Sequence, residues 1–178
     1  MKNKIFILLI VALAAGSCVK EKMETIYKKQ DTQIDAYMTK ARVSGKDTLD
    51  LVYNKGSVRL IKTEGSGPAL EEGGSVSFYY AGYVFTSNPS SLFATNHQET
   101  ASGAGFILTD EDHHIFEADM RNTEMLEGLR NGLIGVKSGE VCEIAFSGKY
   151  GFGDEVFGTI PVNSALLYKI WVIGVSNE

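Results

Sequence analysis

Residues 110–114 form a run of acidic residues and histidines, types that bind metal ions. Asp110, Asp112, His113 and His114 offer carboxylate oxygens and imidazole nitrogens, both common metal ligands in proteins. Two adjacent histidines do not both face one ion easily from a strand, so we interpret the run as a solvated loop. The alternating glycines of residues 148–153 lack the Lys-Ser/Thr pair of a phosphate-binding loop. We therefore predict neither a metal site nor a cofactor.

The next candidate region runs from residue 125 to residue 175 and combines helix, strand and loop patterns. Leucines repeat at helical spacing over residues 126–133, and apolar residues alternate over 142–146 as in a strand. Residues 165–175 are rich in β-branched and aromatic residues and predict a second strand. The loop between the strands, residues 147–164, carries glycines and aromatic residues. We expect a lone helix on a sheet, with function in the loop beside it.

Short motifs in this region have a characteristic order and spacing. They are Leu-Glu-Gly-Leu at 126–129, Ser-Gly-Glu at 138–140, Tyr-Gly-Phe-Gly at 150–153, Ile-Pro at 160–161 and Leu-Leu-Tyr at 166–168, with Val-Ser-Phe-Tyr-Tyr-Ala-Gly upstream at 76–82. Together they resemble the FKBP-type peptidyl-prolyl cis-trans isomerases over roughly residues 56–176. The resemblance implies an α+β fold at 47–178, with an antiparallel sheet of about five or six strands wrapped around one short helix.

The resemblance also implies an apolar pocket for a proline-containing polypeptide. Rotation about an X-Pro bond faces a barrier of about 18–20 kcal/mol that arises from amide resonance. A dry aromatic pocket disfavours the charge-separated planar amide, so no nucleophile or metal is required. By the resemblance, catalytic positions fall on Tyr80, Phe93, Phe116, Leu126, Phe152 and Tyr168, and substrate-binding positions on Met125, Leu129 and Ile160. Any one of these residues taken alone is typical of an ordinary core.

Several positions depart from the family pattern. Ala94 stands where the family usually has Asp, Phe152 where it usually has Tyr, and Leu129 where it often has Trp. The first two changes each remove a hydrogen bond to ligand and predict weaker binding of peptides and macrolide inhibitors. We expect a peptidyl-prolyl isomerase, and the alternative is a non-catalytic chaperone or protein-binding module. The long spacing from Phe93 to Phe116 implies an insertion at about residues 97–112 near the pocket rim.

The amino terminus has the form of a secretory signal. Two lysines precede an apolar run that ends in small residues and Cys18, so residues 1–17 are predicted to be a signal peptide. The segment resembles a bacterial lipobox, although Ala15 occupies the place of the usual leucine. We expect Cys18 to carry a lipid anchor, which implies a lipoprotein of the bacterial cell envelope, periplasmic or surface-facing. The alternative is an ordinary cleaved signal followed by a chance cysteine.

Charge and cysteine content limit the remaining partners. Loss of residues 1–17 removes two lysines and moves the formal charge from −5 to −7, which argues against a nucleic-acid partner. Cys142 then has no partner for an intrachain disulfide and is predicted to be a buried core residue. We interpret residues 18–46 as a lipidated, partly helical tether. A helix that packs on the domain or on a second copy is the alternative, and the oligomeric state stays open.

Overall fold

The computed structural model describes residues 2–43, 49–109, 112–121 and 124–178, with side chains described from residue 20 onward. Three α-helices, seven strands and a short 3-10 helix follow one another within these residues. In chain order they are α1 Lys2–Arg42, β1 Leu51–Asn54, β2 Ser57–Thr63, β3 Ser75–Phe85, β4 Pro89–Thr95, α2 Gln98–Gly103, β5 Phe116–Asp119, α3 Glu127–Leu133, β6 Val141–Phe146, the 3-10 helix Gly148–Tyr150 and β7 Ala165–Ser176.

The strands form one antiparallel sheet in the order β1-β2-β6-β7-β3-β4, and β5 pairs with the first part of β3. The longest pairing joins β3 to β7, from Ser75 opposite Ser176 to Phe85 opposite Ala165. The predicted α+β fold is confirmed. The described sheet has seven strands because β5, a strand of four residues, completes it beside β3.

Helix α3 lies directly on β6 because two glycines face the strand. A Cβ atom on Gly128 would lie 2.2 Å from Cγ of Phe146, and one on Gly132 would lie 2.2 Å from Cγ2 of Ile144. Buried Arg59 of β2 caps the end of the helix, since its Nη1 donates to the carbonyls of Gly132 at 2.8 Å and Ile134 at 2.7 Å. The helix therefore has a fixed position against the sheet.

Helix α1 covers the opposite face of the sheet. Ile34 and Met38 are buried there against Leu60 and Leu167, and the ring of Tyr37 meets that of Phe85 edge to face at 5.4 Å. The alternative of a helix that packs on the domain is therefore what the structure shows for this part of the predicted tether. Few apolar residues suffice because they stand one turn apart over an apolar patch of the sheet.

Two other sequence predictions concern the amino terminus and the free cysteine. The side chain of Cys18 lies outside the described residues, whereas Cys142 is a buried, free thiol in β6. In the part of the chain that the structure describes, no helix has the length and apolar character of a membrane span.

Candidate active site

All nine predicted pocket residues line one cavity of about 320 Å³ on the α3 face of the sheet. The cavity opens between α3, the strands β3, β4, β5 and β7, and the segment 147–164, which we call the pocket loop. The predicted residues are Tyr80, Phe93, Phe116, Met125, Leu126, Leu129, Phe152, Ile160 and Tyr168, and the structure adds Phe78, Ala94, Phe157, Gly158 and Thr159.

Aromatic side chains from four strands form the walls. Gly82 of β3 pairs with Tyr168 of β7, and a Cβ atom on Gly82 would lie 2.6 Å from Cζ of Phe93. Glycine at this position therefore lets the two rings approach, and they meet edge to face at 5.8 Å. Tyr80 joins the group with its ring centroid 6.2 Å from that of Tyr168 and 6.0 Å from that of Phe116.

The floor comes from the start of α3. Leu129 is buried, and Met125 and Leu126 are partly buried beside it. Leu126 precedes the first turn of the helix, so its N–H has no acceptor within the helix. Among the described residues, this N–H donates to no other group. The Leu126 N–H is therefore a backbone donor at the cavity for a ligand carbonyl.

The pocket loop brings Phe152 and Ile160 to the cavity together with Phe157. Phe157 stacks on Phe152 with ring centroids 4.4 Å apart and an angle of 9° between the rings. The Ile160 N–H donates to the Phe157 carbonyl at 2.9 Å, which closes a turn at this edge of the cavity. Sequence reasoning missed Phe157 because a loop has no periodic pattern that assigns a residue to one side. Its position three residues before the Ile-Pro motif was the only available signal.

Two tyrosine hydroxyls supply further polarity. Burial raises the pKa of Tyr80 and of Tyr168, and the nearby Tyr80 adds to the effect on Tyr168. Both phenols therefore stay protonated at neutral pH. Neither hydroxyl hydrogen-bonds to another group of the described chain, so each is available as a donor to a bound molecule. Ala94 lines the same wall and adds no polar atom.

The side chains considered as metal ligands in the sequence contact different groups in the structure. The Asp112 carboxylate accepts from the hydroxyl of Thr109 at 2.7 Å, and these hydrogen bonds lower the pKa of Asp112. The ring of His113 stacks on Tyr79 with centroids 5.2 Å apart, and its Nδ1 lies 2.9 Å from the carbonyl oxygen of Asn96. Asp110 lies outside the described residues. No group of three metal-ligating side chains occurs within the described ranges.

The expected insertion contains structure of its own. Helix α2 begins after His97, whose side chain accepts a hydrogen bond from the Thr100 N–H as an N-cap. His97 also stacks on Trp171 of β7, with ring centroids 3.8 Å apart and 4° between the ring planes. The described part of the insertion is thus attached to the sheet through Trp171, which alternation along β7 places on the face opposite to the pocket residue Tyr168.

Comparison with known proteins places the chain among related sequences. A family model described as FKBP-type peptidyl-prolyl cis-trans isomerase matches residues 67–173, more than half of the chain. FK506-binding protein 1 of Aspergillus oryzae is 25% identical over 124 residues, which cover 68% of this chain and 99% of that protein. FK506-binding protein 1 of Gibberella zeae is 27% identical over 116 residues, covering 65% of this chain and 94% of that protein.

Solved structures share the fold. The N-terminal domain of FKBP42 from Arabidopsis thaliana aligns with a TM-score of 0.58 and 20% identity, covering 76% of this chain and 99% of that one. FkpA from Escherichia coli aligns with a TM-score of 0.54 and 17% identity, covering 95% of this chain and 70% of that one. At sequence identities this low, the similarity shows only that the backbone fold is shared.

Proposed function

We propose that this chain, which belongs to the FKBP-type peptidyl-prolyl cis-trans isomerase family, accelerates rotation about X-Pro bonds in polypeptides. The observation that carries the proposal is the single cavity in which nine residues of the family pattern meet. Its walls are aromatic, and the Leu126 N–H and the hydroxyls of Tyr80 and Tyr168 are hydrogen-bond donors at the cavity. This combination suits a group that is apolar at the prolyl ring and polar at the adjacent carbonyls.

The pocket residues have two roles, which are to bind the prolyl ring and to disfavour the planar amide. The prolyl ring packs against Tyr80, Phe116 and Tyr168, over the floor that Leu129 provides. Apolar surroundings are unfavourable for the charge on the carbonyl oxygen of a planar amide and less so for the twisted transition state. The Leu126 N–H binds a substrate carbonyl and keeps the chain in register. Neither step needs a metal, a cofactor or proton transfer.

Ligand binding is proposed to be weak relative to that of family members with polar groups at positions 94 and 152. Ala94 and Phe152 offer no hydrogen bond, and each missing bond costs about 0.5–1.5 kcal/mol. The relatives named for FK506 suggest that the macrolide is a ligand of this pocket as well. The hydroxyl of Tyr168 partly replaces the missing one, since it lines the same cavity.

The cellular setting is proposed to be a bacterial envelope, periplasmic or surface-facing, where the protein assists the folding of exported proteins. The apolar segment before Cys18 supports export, and the cysteine supports a lipid anchor. Fatty-acid labelling tests this setting. The chain is expected to take up label and remain in the membrane fraction, whereas Cys18→Ala is expected to lose both properties. Labelling of the variant would contradict the proposed anchor.

A non-catalytic chaperone or protein-binding module is the second candidate. Ala94 and Phe152 favour it, because polar groups of the family pattern are missing from the pocket. The exposed rings of Phe116 and Phe157 beside the cavity also offer apolar surface to an unfolded chain.

Relaxation of a Leu-Pro peptide from cis to trans separates the two candidates. The full-length chain is expected to accelerate relaxation in proportion to its concentration. The double substitution of Tyr80→Ala and Tyr168→Ala is expected to abolish the effect while the circular dichroism spectrum stays folded. Absence of acceleration at high protein concentration, together with binding of an unfolded polypeptide, would favour the non-catalytic module.

A further inference from the structure

One glutamine of α1 bridges the two ends of the pocket loop. The Gln30 Oε1 accepts from the Gly148 N–H at 2.9 Å, and its Nε2 donates to the carbonyl of Asn163 at 2.7 Å. Only one orientation of the amide satisfies both contacts, because one partner is a donor and the other an acceptor. Gly148 begins the 3-10 helix after β6, and Asn163 stands two residues before β7.

The two ends of the loop also touch each other. A Cβ atom on Gly148 would lie 2.5 Å from the carbonyl oxygen of Asn163. Asn163 has a left-handed backbone with φ of 58°, and its side chain accepts from the hydroxyl of Tyr27 at 2.7 Å. Helix α1 thus holds the closed base of the loop through Gln30 and Tyr27.

Backbone hydrogen bonds link this base to the pocket. The carbonyl of Gly148 accepts from the N–H groups of Gly151 at 3.2 Å and Gly153 at 3.1 Å. Phe152 stands between these glycines and lines the cavity. Asn163 donates in turn to the carbonyl of Gly153, so both ends of the loop converge on the turn that carries Phe152. A shift of the base therefore shifts one wall of the pocket.

We propose that Gln30 is a positioning residue of the pocket, acting from α1 through the base of the pocket loop. This inference rests on the proposed function, since it assigns Gln30 to the binding of a prolyl peptide. Gln30 itself lies outside the residues that line the cavity. The attachment of α1 to the sheet depends on other residues, Ile34 and Met38, so loss of the Gln30 amide leaves the helix in place.

Methionine at position 30 tests the proposal because it preserves the length of the side chain and removes both hydrogen bonds. Gln33→Met is the matched control, since Gln33 stands three residues further along α1 and lines a different concavity. Amide exchange of the pocket loop is measured by NMR in the full-length chain, together with the dissociation constant of a Leu-Pro peptide. Exchange at Gly148, Gly151 and Gly153 and the dissociation constant are each expected to rise roughly two- to ten-fold in Gln30→Met. Gln33→Met is expected to match the unaltered chain.

A third variant is expected to have an intermediate effect. Amide exchange and peptide affinity test the role of Gln30 independently of the proposed function. Tyr27→Phe removes one hydrogen bond and is expected to fall between the unaltered chain and Gln30→Met. If turnover is measurable, KM is expected to rise while kcat changes by less than about two-fold. Equal exchange or equal peptide affinity in the two methionine variants would overturn the positioning role. Lack of catalysis by the unaltered chain would overturn only the proposed isomerase activity, because exchange and affinity need no turnover.

Discussion

The two faces of the sheet are built from alternate residues of the same strands, yet a helix closes one face and the other face keeps an open cavity. In β7, Leu167 points to α1 and Tyr168 to α3. On the α1 face, Met38 is fully buried and the helix closes the apolar patch. On the α3 face, a cavity of about 320 Å³ remains, and Phe116 at its edge is 44% exposed. Apolar alternation thus builds both faces, and the incomplete cover on one of them creates the binding site.

Truncation on the α1 face should have the largest effect on stability. Met38→Ala removes a fully buried side chain and is expected to lower the free energy of unfolding by about 2–5 kcal/mol. Urea denaturation measures the change, and Asp31→Ala on the exposed side of the same helix is the control. A loss below about 0.5 kcal/mol would contradict the view that α1 is a structural cover.

Truncation at the pocket edge should affect activity more than stability. Phe116→Ala is expected to lower kcat/KM about ten-fold, which corresponds to about 1.4 kcal/mol of transition-state stabilisation. Phe106→Ala is the matched control, because Phe106 is 52% exposed and lines a separate concavity beside Tyr83 and Leu92. Peptide relaxation assays and denaturation curves of both variants give the two quantities. Equal losses of activity in the two variants would remove the functional distinction of the pocket.

Adding a polar group at position 152 should strengthen ligand binding in the pocket. Phe152→Tyr adds the hydroxyl that the family pattern usually has and is expected to tighten FK506 binding by about 0.5–1.5 kcal/mol. Phe106→Tyr serves as the control, since Phe106 lines a separate concavity. Calorimetric titration compares the two variants with the unaltered chain. Unchanged affinity in Phe152→Tyr would show that this position does not face the macrolide.

The smallest expected effect is a loss of stability at alkaline pH from the α1 face. Burial raises the pKa of Tyr37 to about 12, with further contributions from the charge and hydrogen bond of Glu143. Below a pH of about 10, folded and unfolded states both keep the proton, so the contribution is fully present. Between about pH 10 and 12 the unfolded state loses it first, and stability falls. Melting temperatures across this range are expected to decline less steeply in Tyr37→Phe.

Much of the sheet and α3 could be predicted because their signals are local. Alternation at Cys142, Ile144 and Phe146 marks β6, and leucine spacing marks α3. The pocket residues came from a family resemblance, and the structure brings all nine to one cavity. Their roles in binding and catalysis stay predictions that the variants above test.

Other features depend on contacts between distant parts of the chain. Residues 19–46 show only a thin apolar stripe, and the apolar patch around Leu167 makes Ile34 and Met38 a packing surface. The sequence pattern predicts that Arg59 lies on the polar side of β2. It is buried instead, because its guanidinium donates to a carbonyl at the end of α3. Strand β5 forms because β3 offers an open edge to residues 116–119. No local pattern carries such information.

Exchange spectroscopy of a Leu-Pro peptide tests the central claim most directly. Uncatalysed X-Pro rotation takes tens of seconds at room temperature, so sub-second mixing gives no cross peaks between the cis and trans signals of the free peptide. Catalytic amounts of the unaltered chain or of Phe106→Ala are expected to produce such cross peaks, and Phe116→Ala is expected to weaken them strongly. Absence of cross peaks with the unaltered chain, or equal intensity with all three proteins, would contradict the assignment of catalysis to this pocket.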